Sequence, residues 1–302
     1  MTPFRENLRG IGFLVACNLA FLLSDTLIKL IGGAIPLGEF ITLRGIVVTI
    51  ALTPAVLITG VWRQAKLLRS RALFWRTFGE AASAFTYLAA LIHMPIANLN
   101  TILQIVPLAI TAAGALFLGE AVGWRRWTAI AVGFIGVLIV VRPGAQGFNV
   151  FSLLALASAL LVALRDFSSR VLPRGLSALL VSYVTGAGVG ICGPFYALAV
   201  GETWVVPSLA DMGLLCASVV FVIGGYLLSV AFMRHGDIGV VAPFRYLAIV
   251  WAIILGVLVF HELPDWPVYV GMAIIAASGI YTFHRERSRA RLLEEAASGE
   301  GL

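Results

Sequence analysis

Charge is scarce in this chain, and so are histidine and cysteine. Only 12% of the 302 residues are Asp, Glu, Lys or Arg, about half of what a water-facing surface carries. A soluble domain is excluded on that ground alone. The three cysteines, Cys17, Cys192 and Cys216, sit inside apolar runs and form no CxxC pair. They read as small buried thiols, with neither a disulfide framework nor a metal site signalled. The four histidines, His93, His235, His261 and His284, are scattered over short loops and span ends. No HExxH, GxSxG or phosphate-binding glycine loop occurs, which argues against an enzyme, an ATP-driven pump and any bound cofactor. Long polar stretches are missing too, so no connection is large enough to form a separate domain.

What remains is hydrocarbon. Hydrophobic residues make up 60% of the chain and the mean hydropathy is +0.99. A membrane helix needs about 20 mostly apolar residues to cross the bilayer core. Ten segments meet that length: 11–32, 37–60, 73–92, 96–118, 124–141, 150–171, 177–200, 212–233, 240–260 and 266–284. The first run is too long for the core of a cleavable leader, so it is expected to be a membrane helix. The tail after His284 is expected to be solvated.

The net charge of +6 would suggest nucleic acid in a soluble protein. Here the placement of the cations matters more. With the N-terminus set in the cytoplasm, 15 of the 21 Lys and Arg residues fall in cytoplasmic segments and only Arg142 falls outside. The remaining five, Lys29, Arg44, Arg76, Arg165 and Arg245, lie within spans or at their margins. That asymmetry predicts both termini cytoplasmic and no nucleic-acid partner.

The chain also repeats itself. Asp25 precedes Lys29 by four residues, and Asp166 precedes Arg170 by four, an offset of 141. Glu120 precedes Trp124 by four, and Glu262 precedes Trp266 by four, an offset of 142. Tyr87 and Tyr226 occupy similar places in the third and eighth spans. Five helices is an odd number, so a second copy re-enters the membrane from the other side. The expected architecture is all-α, with ten transmembrane helices as two inverted five-helix repeats around a central cavity. It divides into a cytoplasmic N-terminus (1–10), repeats over 11–142 and 150–284, and a cytoplasmic tail (285–302). Inverted repeats of this kind serve alternating access in secondary transporters.

On these features the chain resembles the EamA family of the drug/metabolite transporter superfamily. Each half closes with a matching pattern, Leu118-Gly119-Glu120 followed by Gly133 and Gly136, then Phe260-His261-Glu262 followed by Gly271 and Gly279. The resemblance implies a basket whose first, third, fourth, sixth, eighth and ninth spans line a cavity, with the fifth and tenth peripheral. It also implies transport of a small metabolite across a bacterial cytoplasmic membrane. Members similar to YddG-type exporters carry amino acids outward, others take up riboflavin or S-adenosylmethionine, and eukaryotic relatives exchange nucleotide sugars.

Charges inside a bilayer cost about 2.5–3.5 kcal/mol on insertion scales, so each needs a partner or a cavity. Asp25 can pair with Lys29 on its own helix, or with Arg44, which lies at a similar depth. Asp166 can pair with Arg165 or Arg170, and Arg76 with Glu80 four residues on. The alternative is that Asp25, Arg44, Glu80 and Asp166 act in coupling or gating, with a proton as the candidate coupling ion. Glu120 and Glu262 read as capping or packing residues. Arg245, in Pro243-Phe244-Arg245-Tyr246, has no acid three or four residues away. As a buried guanidinium it suits a substrate carboxylate or phosphate held in a fork, or it pairs with Asp166 or Glu80 from another helix. Asn100, Gln104, Tyr87, Tyr226, Tyr246 and Trp251 are the other candidate substrate contacts, with interhelical hydrogen bonding and lipid-facing filler as the alternatives. Pro107 and Pro243 are placed to interrupt their helices. The glycines of the seventh span, Gly186, Gly188, Gly190 and Gly193, permit close helix approach. The leading function is export of amino acids or related zwitterions by a monomer or homodimer. Uptake of riboflavin, S-adenosylmethionine or a nucleotide-like metabolite is the alternative. A lipid-linked flippase, a channel and a membrane enzyme are the remoter ones.

Overall fold

Hydrocarbon offers backbone amides no partner but one another, which restricts a lipid-embedded chain to helices or closed barrels. The computed structural model describes residues 3–299 apart from 121, 144–148, 174 and 235–240, and the described residues hold no strand. In order they form α1 (Pro3–Ile31), α2 (Leu37–Thr59), a 3₁₀ helix (Val61–Leu68), α3 (Arg71–His93), α4 (Ile96–Leu103), α5 (Val106–Phe117) and α6 (Trp124–Val141). Then follow α7 (Phe151–Arg170), α8 (Ala178–Val200), α9 (Leu209–Arg234), a second 3₁₀ helix (Ala242–Tyr246), α10 (Leu247–Phe260) and α11 (Trp266–Gly299). Arg174, His235 and the expected start of the ninth span at Val240 lie outside the described residues. Past His284 the chain continues the helix of α11 as far as Gly299.

Among the described residues, nine segments are long and apolar enough to cross a membrane, where ten are expected from sequence. The difference is α3. Its 23 residues suffice in length, but Arg71, Arg76 and Glu80 dilute its hydropathy. The fourth expected span is also not one continuous helix. Gln104 and Ile105 bond back three residues to Thr101 and Ile102, and α5 starts afresh at Val106. Pro107 has no N–H to offer the carbonyl of Leu103, which explains the step. Pro243 opens the second 3₁₀ helix in the same manner.

The chain clusters into two compact units, each built from both halves of the sequence. The first comprises residues 1–22, 100–148 and 224–302, and the second comprises 23–99 and 149–223. Within the second unit, α2 packs along α8 and α3 along α7. Gly45 meets Gly190 so closely that a Cβ on Gly45 would strike the Gly190 backbone. Gly193 fits in the same way against Thr42 and the carbonyl of Gly38. The glycines of the seventh span therefore act in packing, since small residues let two backbones approach where lipid gives no hydrophobic drive. One end of the α2–α8 pair is tied by two carboxylates. Glu202 accepts from the Gly38 N–H at 2.9 Å, and buried Glu39 accepts from the Val205 N–H at 2.8 Å.

Within the first unit, α6 packs along α11. Gly136 lies against Ile275 and the carbonyl of Gly271, and Gly271 lies against Val140. The helices run antiparallel, because Arg142 at the end of α6 reaches Asp265 at 3.2 Å just before α11. The expected capping role of Glu120 and Glu262 takes a backbone form. The chain turns through a left-handed residue, Gly119 or His261. The next N–H, of Glu120 or Glu262, then returns to the carbonyl of Gly114 at 3.2 Å or Gly256 at 2.9 Å. The two turns stand at one offset of 142 in sequence.

Candidate functional site

In the first unit, the carbonyl of Arg245 gathers two amide side chains. Asn18 of α1 donates to it at 3.3 Å, and Gln104, at the step between α4 and α5, donates at 3.4 Å. Arg245 returns a bond from Nε to the Gln104 side-chain oxygen at 3.5 Å. These contacts fix the 3₁₀ turn that presents the guanidinium. Arg245 is exposed on this unit rather than buried, and no carboxylate lies within ion-pair distance of it among the described residues. Tyr246, next in the chain, lays its ring and hydroxyl against Gly279 of α11, where a Cβ would collide with it. Tyr226 of α9 meets Phe21 of α1 edge-to-face at 5.3 Å, and Phe21 also covers Gly225. Cys17 donates its thiol to the Gly225 carbonyl at 3.2 Å.

The second unit treats charge differently. Arg165 of α7 bonds to Asp166 at 2.8 Å and to Glu80 of α3 at 3.2 Å. Arg76 stands 3.7 Å from Glu80 and donates to the Thr185 hydroxyl at 3.4 Å. Two cations and two carboxylates thus form one neutral, part-buried cluster. Asp25 of α1 accepts from the Tyr87 hydroxyl at 2.5 Å. Arg44 of α2 acts on that carboxylate through its field but stands outside ion-pair distance. Lys29 does not pair with Asp25 either, because it donates to the Met94 carbonyl at 2.7 Å.

An unpaired cation in one unit and a neutralised cluster in the other fit a membrane protein that handles a small polar ligand. Residues 8–142 match the EamA-like transporter family. The match covers just under half of the chain. The chain is similar to an S-adenosylmethionine uptake transporter of Rickettsia bellii, 27% identical over 92% of this chain and 94% of the relative. A pseudopaline exporter of Pseudomonas aeruginosa is 28% identical over 90% of this chain and 94% of its own length. A riboflavin transporter of Vibrio cholerae is 28% identical over 74% of this chain and 76% of its own. A solved crystal structure superposes with a TM-score of 0.61 at 20% identity, covering 90% of this chain and 96% of that one, and supports the fold.

With nine long apolar segments and these transporter relatives, the chain is a multi-pass protein of the bacterial cytoplasmic membrane, a transporter of a small molecule and not an enzyme. The residues expected to act are divided between the two units. Asn100, Gln104, Tyr226, Arg245, Tyr246 and Trp251 belong to the first. Asp25, Arg44, Glu80 and Asp166 belong to the second, as does Tyr87, whose hydroxyl is committed to Asp25. Asn98, near Asn100 in sequence, belongs to the second unit, where its side-chain oxygen is buried without a hydrogen-bond partner. Two contacts of the first unit escape a reading of sequence that follows charge, Asn18 and Phe21. Their spacing to Asp25, three and then four residues, sets all three on one face of α1. That spacing is the signal that finds them.

Proposed function

We propose that this chain is an EamA-like secondary transporter that exports amino acids or related zwitterions, with Arg245 holding the substrate carboxylate. The observation that carries this reading is an arginine anchored through its backbone carbonyl and its Nε, with no carboxylate partner among the described residues. Such a group offers two parallel N–H donors to a carboxylate, the strongest form of a charge-assisted contact. Gln104 and Tyr246 adjoin it, and Asn100, Tyr226 and Trp251 of the same unit are the further proposed contacts. Asp25 with Tyr87 and Arg44, and Glu80 with Asp166, are the coupling or gating groups, a proton being the coupling ion. The ten spans, with α3 as the charged third, form two inverted repeats over 11–142 and 150–284 with both ends in the cytoplasm. The repeated left-handed turns at Gly119 and His261 support that duplication.

The relative from Rickettsia favours a second reading, uptake of S-adenosylmethionine. That molecule also carries an α-carboxylate, so the same arginine serves it. Riboflavin has no carboxylate, and its transport would not need Arg245 as a clamp. The test is counterflow into proteoliposomes with labelled amino acids, S-adenosylmethionine and riboflavin. Arg245→Ala is expected to raise the half-saturation concentration about tenfold or more, the weight of a lost charged hydrogen bond. Full activity in the mutant would remove the clamp. Direction is read in whole cells: faster efflux of preloaded label supports export, and net accumulation supports uptake.

A further inference from the structure

The antiparallel pair α6 and α11 leaves a cleft at one end, with a volume of about 320 Å³. Trp124, Arg125, Thr128 and Val132 of α6 line one wall, and Ser278 and Tyr281 of α11 line the other. Arg125 and Thr128 lie toward the start of α6, and Ala129 and Val132 lie further along it. Arg125 is exposed, rests 5.4 Å over the Trp124 ring, and makes no ion pair among the described residues. Trp124 is 72% exposed, so the indole has no protein surface to cover it. Arg126 and Arg285 belong to the same end of the pair. Gly123 caps α6 without a side-chain bond, which leaves the positive end of the helix uncompensated there. The opposite end is different, because Arg142 is answered by Asp265.

We propose that this cleft binds an anionic phospholipid, with Arg125 holding the phosphate and the first acyl carbons lying along Val132. Three observations select this occupant. The charge of Arg125 meets no carboxylate among the described residues, so it complements an anionic headgroup rather than a zwitterionic one. Trp124 and Tyr281 are amphipathic rings of the kind that settle at headgroup level. Arg125 and Val132 stand about two turns apart on α6, which leaves room for the first acyl carbons beyond a headgroup held at the arginine. Basic pockets between membrane helices are lipid-headgroup sites on the same physical grounds. The proposal stands apart from the substrate reading, since no residue of the cleft is among the candidate transport contacts.

The test uses the full-length protein in nanodiscs containing brominated phosphatidylglycerol or brominated phosphatidylcholine at equal mole fraction, with tryptophan fluorescence as the readout. Quenching is expected to be stronger with the anionic lipid. Trp124→Phe removes that excess because it removes the reporter. Arg125→Gln weakens the preference for the anionic lipid about fivefold, the weight of one basic side chain at an anionic surface, while counterflow activity shows that the variant is folded. Equal quenching by the two lipids overturns the proposal, as does an unchanged preference in Arg125→Gln. Millimolar inorganic phosphate is expected to leave the quenching untouched. If phosphate abolishes the excess, the cleft is a simple anion site and the lipid assignment falls.

Discussion

Arg165 in the second unit and Arg245 in the first are both arginines set within apolar stretches, and they are satisfied in opposite ways. Arg165 spends its donors on two carboxylates, Asp166 and Glu80, and Arg76 joins the same cluster. Arg245 is bound by amides, through Asn18 and Gln104, which orient it without cancelling its charge. The first arrangement holds helices together. The second leaves the positive charge without a carboxylate among the described residues, which is what the proposed substrate contact needs. The contrast shows that an intramembrane charge cannot be given a role from its depth alone. The chemical type of its partners separates structure from function.

The comparison can be broken most severely at the helix contacts on which the second unit depends. Gly45→Leu drives a side chain into the Gly190 backbone and is expected to cost about 3 kcal/mol or more, the upper range for overpacking. Size-exclusion profiles and the thermal midpoint in detergent would show it, and a wild-type midpoint would refute the close approach. Next comes Arg165→Ala, which strips Glu80 and Asp166 of a shared cation. Because these side chains are 23% and 39% exposed, the cost is about 2 kcal/mol, below that of a fully buried pair. Glu80→Gln combined with Arg165→Ala should recover part of the loss, and no recovery would mean that Glu80 is not the partner that matters. Tyr87→Phe removes the donor to Asp25, with an expected loss of about 1–2 kcal/mol.

Smaller effects sharpen the contrast. His261 takes a left-handed conformation at φ 55°, which costs a non-glycine residue about 1 kcal/mol. His261→Gly should therefore raise the thermal midpoint by a few degrees, and a lowered midpoint would show that the imidazole is needed. The smallest expected change is the most informative. Arg245→Ala should move stability by no more than about 0.5 kcal/mol, as for a surface change, while the half-saturation concentration for exchange rises about tenfold or more. If it unfolds the protein instead, Arg245 is structural and the two arginines differ less than their partners suggest.

Much of this fold is legible in the sequence, because apolar length is a direct reading of what the bilayer demands. The helix ends at Gly119 and the close contacts of Gly190 and Gly193 follow from residue type. Arg76 with Glu80, four apart on α3, is legible as a local pair. The partners of Asp25 are not, since Tyr87 lies 62 residues away and Arg44 sits at a similar expected depth without reaching it. The Gln104–Arg245 contact spans 141 residues. That offset matches the one between Asp25 and Asp166, yet nothing in the sequence says which equivalent positions touch.

The sequence by itself determined that this protein lives in a membrane as a helical transporter, because hydrophobicity and the period of small and charged residues are properties of the chain alone. It also marked Arg245 as a cation without a local acid. The tertiary structure decided which charges cancel, which hydroxyl guards Asp25, and where α6 and α11 leave a basic, aromatic cleft. The reason is physical: a helix fixes neighbours three and four residues away. Partners on other helices are chosen only by packing.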